Sequence, residues 1–400
     1  MLTGPFKEII TMQGLPQRGP ISDDQLHVIK NGAIVVERDK IREIGLFSDL
    51  IKRHKLEIEI DQPAVCLPGL IDAHTHICFA GNRCGDYTKR VSGKSYQQIA
   101  SEGGGIMDSV RKTRAASQID LEKGIISRAH ELVRRGVTTC EVKSGYGLTI
   151  KDELKMLQAI NDAASKVPLK LISTCLAAHI KPPEFIDEKS YLDHILVELL
   201  PKISSKRVDI FVEEGAFSKE SAKHYLLEAK KMGFSLIVHA DQFSRQGALL
   251  ACEVTALSAD HLEVSSEEDA DALAKADVIP IVLPGASLGL GMQFAPARML
   301  LDKNLAVVIA SDWNPGSAPM GDLLCQAAII GAYEKLSVAE TFAAITERAA
   351  KALQVPDRGV LDVGMSADLA IFPCSDYREI LYAQGMMKPF LVVIDGKLAR

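Results

Sequence analysis

Eight strand-like apolar runs, each followed by a polar exit, limit what this chain can fold into. They are Val65–His76, Val137–Tyr146, Leu169–His179, Val208–Gly215, Phe234–Gln242, Ala256–His261, Val278–Gly285 and Leu305–Asn314. Amphipathic stretches such as Leu121–Arg135, Asp152–Lys166 and Lys219–Met232 lie between most of them, and Gly136 and Gly233 read as helix stops. Eight strand-then-helix units in one run predict an α/β fold, a closed (β/α)8 TIM-type barrel rather than an open doubly wound sheet. Such a barrel uses roughly 250 residues, and this chain has 400. The remainder sits at the two ends and reads as β-rich. Leu26–Glu37 reads as two strands around an Asn31-Gly32 hairpin, and Asp39–Gly45 continues in the same style. Gly359–Phe372 and Pro389–Lys397, the latter with an Asp395-Gly396 turn, mirror it at the other end. We expect residues 1–65 plus 357–400 to form one small β-sandwich domain and residues 66–356 to form the barrel.

Hydrophobic residues at 47% and charged residues at 24% fit an ordinary globular enzyme. A net charge of −6 argues against nucleic acid or an anionic membrane as the main partner. The eight cysteines are scattered with no C-x-x-C, which fits reduced thiols in a cytoplasmic protein. The first residues lack a signal-peptide h-region, and no apolar run approaches the ~18 residues that a membrane span needs.

In a parallel barrel the chemistry collects where the strands end. The first run ends in His74-Thr75-His76. Alternate residues of an extended strand share a face, so both imidazoles can point at one spot. His239, His261 and Asp312 close the fifth, sixth and eighth runs. Any one of these residues, taken alone, would more often be structural. Two imidazoles from one strand, a third from another and a carboxylate would fill the protein side of a mononuclear centre with a position open to water. The remaining histidine would then be free to move protons. Residue types alone leave open which later histidine takes which role.

Longer motifs narrow the reading. They are Asp72-Ala-His-Thr-His76, Ala80-Gly-Asn-Arg83, Ser95-Tyr96, Gly103-Gly-Gly-Ile106, Thr113-Arg-Ala-Ala-Ser117, Glu141-Val-Lys-Ser-Gly-Tyr-Gly147, Ala178-His179 with Pro182-Pro183, His239-Ala-Asp-Gln242, Ser258-Ala-Asp-His-Leu262 and Ser311-Asp-Trp-Asn-Pro-Gly-Ser317. Along its whole length the chain resembles the amidohydrolase superfamily, and within it the imidazolonepropionases of histidine degradation. That resemblance implies hydrolysis of 4-imidazolone-5-propanoate to N-formimino-L-glutamate by metal-activated water. It implies one divalent metal ion, Zn or Fe, on His74, His76, His239 and Asp312, with His261, Asp312 and Gln242 as catalytic positions. It implies a small anionic substrate held by Arg83, Tyr96, Tyr146, His179, Asn314, Gly316 and Ser317. A homodimer is the superfamily's habit and is not read from these residues.

Two departures from the family pattern bear on function. Some members carry Glu and others Gln where this chain has Gln242, so general-base duty cannot rest on this residue and proton transfer here falls to Asp312 and His261. The loop after the seventh strand is Ala286-Ser-Leu-Gly-Leu-Gly-Met292 instead of an aromatic segment, which leaves room for a different or larger substrate. Dinuclear relatives place a bridging lysine at the end of strand four. Here that position holds Glu213-Glu214, and Lys143 lies on strand two, which points to a single metal. Two rival readings are a deaminase of a cyclic amidine or aminopurine, and a non-catalytic scaffold. The scaffold is disfavoured because no expected ligand is missing.

Overall fold

The computed structural model describes residues 1–399, apart from the side chains of Tyr96, Gln97 and Ala100. Its barrel strands are β1 (Leu70–Asp72), β2 (Val137–Lys143), β3 (Lys170–Ala178), β4 (Arg207–Val212), β5 (Ser235–Ala240), β6 (Ser258–His261), β7 (Ile279–Val282) and β8 (Val308–Ile309). They pair in that order, each parallel to the next. The ring closes beyond the last ladder residues, where Asp312 N–H donates to the His74 carbonyl (3.0 Å) and His76 N–H to that of Trp313 (2.9 Å). The closing hydrogen bonds therefore run through the residues that were expected to do chemistry. Each of the eight expected runs contributes one barrel strand.

The helices follow the expected amphipathic stretches, as Gln118–Arg134, Ile150–Ala164 and Lys219–Lys231. Each buries one face, for example Leu121, Ile125, Ala129 and Leu132 on the first. Among the described residues, no helix is long and apolar enough to cross a membrane.

The termini build a separate mixed sheet. Its order is 397–398, 391–394, 369–372, 65–68, 2–10, 28–37 and 40–46, with 56–59 sharing the first strand's edge. Both faces are apolar, because alternate side chains of strand 28–37 point opposite ways. Ile34 and Val36 join Phe6, Ile9 and Ile371, whereas Ala33 and Val35 pack with Leu2 and Leu50.

Three readings need correction. The run Val65–His76 is not one strand, since Val65–Pro68 pairs with strands 2–10 and 369–372 of the terminal sheet. The chain passes at Gly69 into the barrel, where a side chain at 69 would collide with Thr138. The Asn31-Gly32 hairpin does not form either. A two-residue turn of that type needs positive φ at both positions, and only Asn31 has it. Gly32 pairs with Phe6 on one side and Leu46 on the other, so the strand runs straight through. Asp395-Gly396 has φ of 48° and 71° and does turn the chain as expected. Finally, the segment after β7 is a helix, Pro284–Leu290, not an open loop.

Candidate metal centre and active site

His74 and His76 follow β1 on either side of Thr75, which bridges to Trp313, and their Nε2 atoms lie 3.2 Å apart. His239, in the last turn of β5, brings its Nε2 to 3.4 Å from that of His76. Asp312 places Oδ1 at 3.3 Å from His76 Nε2 and 3.6 Å from His74 Nε2. Two ligand atoms on a tetrahedral Zn²⁺ at 2.0–2.1 Å would be about 3.3–3.4 Å apart. The donor set therefore matches the edges of such a coordination shell. The three imidazoles form a metal-type cluster, and all four side chains are nearly inaccessible to solvent.

Their protonation suits the role. Burial, reinforced by Lys143 and the neighbouring imidazoles, holds His74 well below the ordinary imidazole pKa. Burial also pushes His239 down to about 4 against the opposing pull of Asp209. Neutral imidazole is the ligand form. Asp312 is held below the usual carboxylate range; burial opposes this, but His76 and the other imidazoles outweigh it.

The supporting layer escaped the sequence reading. His74 Nδ1 is 2.6 Å from Asp260 Oδ2, and His239 Nδ1 is 3.0 Å from Asp209. Each carboxylate fixes its ring with Nε2 turned to the centre. Lys143 lies behind both, 2.8 Å from Asp209, 3.7 Å from Asp260 and 2.7 Å from Glu141, with no solvent exposure. Burial disfavours its charge, but the three carboxylates outweigh burial and raise its pKa. The available signal was an acidic residue set between apolar ones in a strand, as Asp209 is between Val208 and Ile210 in β4. Asp72, also buried, accepts from the Ser311 backbone N–H (2.9 Å) and Oγ (2.5 Å) and so ties β1 to the Asp312 segment.

The other expected residues surround a cavity of about 650 Å³ lined by His76, Arg83, Tyr146, His179, His239, Gln242, His261, Asp312, Asn314 and Ser317. His179 stacks on His76 with ring centres 5.4 Å apart and has Nδ1 3.1 Å from the Gly145 carbonyl. Tyr146 lies 5.5 Å from the His179 ring. The His261 ring centre is 5.3 Å from that of His239. Burial opposes its charge, but Glu263 and Asp312 outweigh burial and hold its pKa above the ordinary imidazole value. Arg83 presents a guanidinium whose buried Nε has no hydrogen-bond partner, with Asp86 no nearer than 3.7 Å. Gly316 is not a wall of the cavity. A Cβ there would fall 1.1 Å from Arg83 Nη2, so the glycine makes room for the guanidinium. The Asn314 amide organises its own loop: Nδ2 donates to Asp312 Oδ2 (3.0 Å) and Ser317 Oγ (3.0 Å), and Oδ1 accepts from Gly316 N–H (2.8 Å). Tyr96 was also expected here, but its side chain lies outside the described residues.

The triple glycine curls around Asp86, whose carboxylate accepts from Gly105 N–H at 2.9 Å. Glu213, just after β4, lines the same cavity. It accepts from the Phe243 and Ser244 amides at 2.8 and 3.1 Å and so holds the loop that carries Gln242.

Known proteins resemble this chain in sequence and in fold. The model of the amidohydrolase family matches residues 65–399. An imidazolonepropionase of Bdellovibrio bacteriovorus is 37% identical over 97% of this chain and 94% of its own length. One of Symbiobacterium thermophilum is 37% identical over 98% and 95%. Among solved structures, a zinc-complexed atrazine chlorohydrolase of Arthrobacter aurescens superposes with a TM-score of 0.71 at 18% identity, covering 99% of this chain and 94% of that one. A zinc-bound adenosine deaminase of Xanthomonas campestris gives 0.69 at 16%, covering 99% and 92%. These two likenesses speak to the fold alone. A barrel closed through His74, His76 and Asp312, together with this identity along nearly the full length, means that the chain belongs to the amidohydrolase family and to its imidazolonepropionase group.

Proposed function

We propose that this protein hydrolyses 4-imidazolone-5-propanoate to N-formimino-L-glutamate, using one divalent metal ion held by His74, His76, His239 and Asp312. The observation that carries the reading is a cluster of three imidazoles joined by the Asp312 carboxylate, with the Arg83 guanidinium, whose buried Nε has no hydrogen-bond partner, lining the same cavity. When bound, such an ion acidifies water and polarises the carbonyl under attack. The protein's own groups do the rest. Arg83 grips the propanoate through paired N–H donors. Tyr146 and His179 border the ring, and Asn314 with Ser317 shapes the wall beside Asp312. Gln242 cannot ionise and orients by hydrogen bonding. His261 and Asp312 handle the proton, and His261 donates to the oxygen that becomes anionic.

A single ion is favoured because the Lys143 ammonium already occupies the space among Glu141, Asp209 and Asp260 behind the ligands and pairs with them. The three-nitrogen, one-oxygen donor set suits Zn²⁺ and Fe²⁺ alike. Free thiols at all eight cysteines fit a cytoplasmic setting, and we extend the family's homodimer to this chain. The test is turnover of 4-imidazolone-5-propanoate beside a panel of cyclic amidines and aminopurines, with metal analysis of the same protein. Ring opening without ammonia release supports the proposal. Ammonia release from a panel member, with none of the imidazolone consumed, supports the deaminase reading instead.

A further inference from the structure

The last residue of β6 and the one after it, His261 and Leu262, both have left-handed backbone, with φ of 91° and 70°. Neither is glycine, and left-handed backbone is disfavoured for any residue with a side chain. The backbone on either side is pinned, with Leu262 N–H on the Ala240 carbonyl and Val264 N–H on that of Asp241, both at 3.0 Å. The result of this reversal is local. It returns the side chain of Glu263 to the ring two residues before it, with Oε1 3.4 Å from His261 Nδ1.

The Glu263 side chain is 1% exposed. Ser287, on the helix after β7, donates to the same Oε1 at 3.1 Å, and Oε2 is buried without a partner. A carboxylate left this poorly satisfied in the interior is a net cost to folding unless its charge has a task. The group it faces is a histidine of the barrel mouth that is not a member of the metal-type cluster. His74 and His239 are each backed by a carboxylate on Nδ1, from Asp260 and Asp209. Glu263 repeats that arrangement on His261.

We infer that Glu263, braced by Ser287, is a positioning residue: it accepts the Nδ1 proton of His261 and fixes the ring so that Nε2 faces the substrate. This rests on the proton-handling role proposed for His261. It also gives the helix 284–290 a part in the reaction, since its Ser287 completes the carboxylate's shell.

The experiment compares Glu263→Leu, Glu263→Gln and His261→Asn in the metal-loaded enzyme by steady-state kinetics on 4-imidazolone-5-propanoate, with metal content measured in each. Gln keeps an oxygen that can accept from Nδ1–H; Leu does not. The expected result is full metal content and near-normal KM in all three. kcat should fall about a hundredfold in His261→Asn and in Glu263→Leu, and only about tenfold in Glu263→Gln. The double variant Glu263→Leu with His261→Asn should be no slower than His261→Asn alone, because both act through one ring. A crippled His261→Asn beside a Glu263→Leu of normal kcat overturns the inference alone. A multiplicative loss in the double variant, or Gln no better than Leu, also overturns it, since a merely structural role predicts either. An undiminished His261→Asn overturns the role of His261 and the inference with it.

Discussion

Replacing Gly316 by alanine tests how the carboxylate anchor is held. A Cβ built on Gly316 lies 1.1 Å from Arg83 Nη2, 1.9 Å from Cζ and 2.2 Å from Nε. Ordinary contact begins near 3.4 Å, so the guanidinium has to retreat by about 2 Å. It cannot do so by moving its backbone, because Arg83 N–H is hydrogen-bonded to the Pro315 carbonyl at 3.1 Å, in the loop that receives the methyl group. Gly316 does not need a left-handed φ, so alanine is tolerated by the backbone, and folding and metal content should survive. What is lost is the paired hydrogen bond to the propanoate. A charge-assisted bond of this type contributes about 1.5–3 kcal/mol, and 2 kcal/mol corresponds to about a 30-fold change. Steady-state kinetics should therefore show KM for 4-imidazolone-5-propanoate rising about 30-fold with a smaller change in kcat. The bare imidazolone ring, which has no tail to hold, should be turned over as before. Arg83→Lys should reproduce the selective loss, since an ammonium lacks the planar fork. Equal losses on both substrates would mean a general collapse of the site, and no loss on either would remove Arg83 as the anchor.

Further outcomes can be measured on the same preparation. Asp312→Ala should lose both bound metal and activity, since it removes the carboxylate donor 3.3 Å from His76; metal analysis after dialysis checks this. Gln242→Ala should lower kcat by about tenfold only, because an amide orients and does not ionise; a loss as deep as that of His261→Asn would shift water activation to the Gln242 side. Stability should fall as pH rises from 4.5 to about 7 through Glu347, whose carboxyl is pushed up to about 7 chiefly by burial. The folded state holds that proton more tightly than the unfolded chain does, so the contribution is whole below 4.5 and gone above about 7, at most about 3 kcal/mol. Urea unfolding of Glu347→Gln across that range should show a flatter profile; an unchanged slope would mean that Glu347 titrates as if exposed.

Much of the architecture was legible because its causes are local. Apolar runs of strand length, helical spacing between them and polar residues at each exit are properties of neighbouring residues, and they located all eight barrel strands. The alternation in His74-Thr75-His76 put two imidazoles on one side for the same reason, and the Asp395-Gly396 turn followed from what those residues tolerate. Asn31-Gly32 offered the same local signal, and pairing overruled it, because Gly32 is hydrogen-bonded on both sides by strands the dipeptide cannot foresee. Val65–Pro68 was drawn to the terminal sheet by partners near residues 9 and 371. The carboxylates behind the ligands belong to the same class. Asp260 meets His74 across 186 positions, and Lys143 meets Asp209 across 66. Gly316 looked like a substrate contact until the fold put the Arg83 guanidinium where its side chain would have been. The sequence determined which side chains reach the mouth of the barrel, because strand periodicity does that. Which charges stand behind them, and which glycine must stay bare, was decided only when barrel closure brought distant strands to within a hydrogen bond of each other.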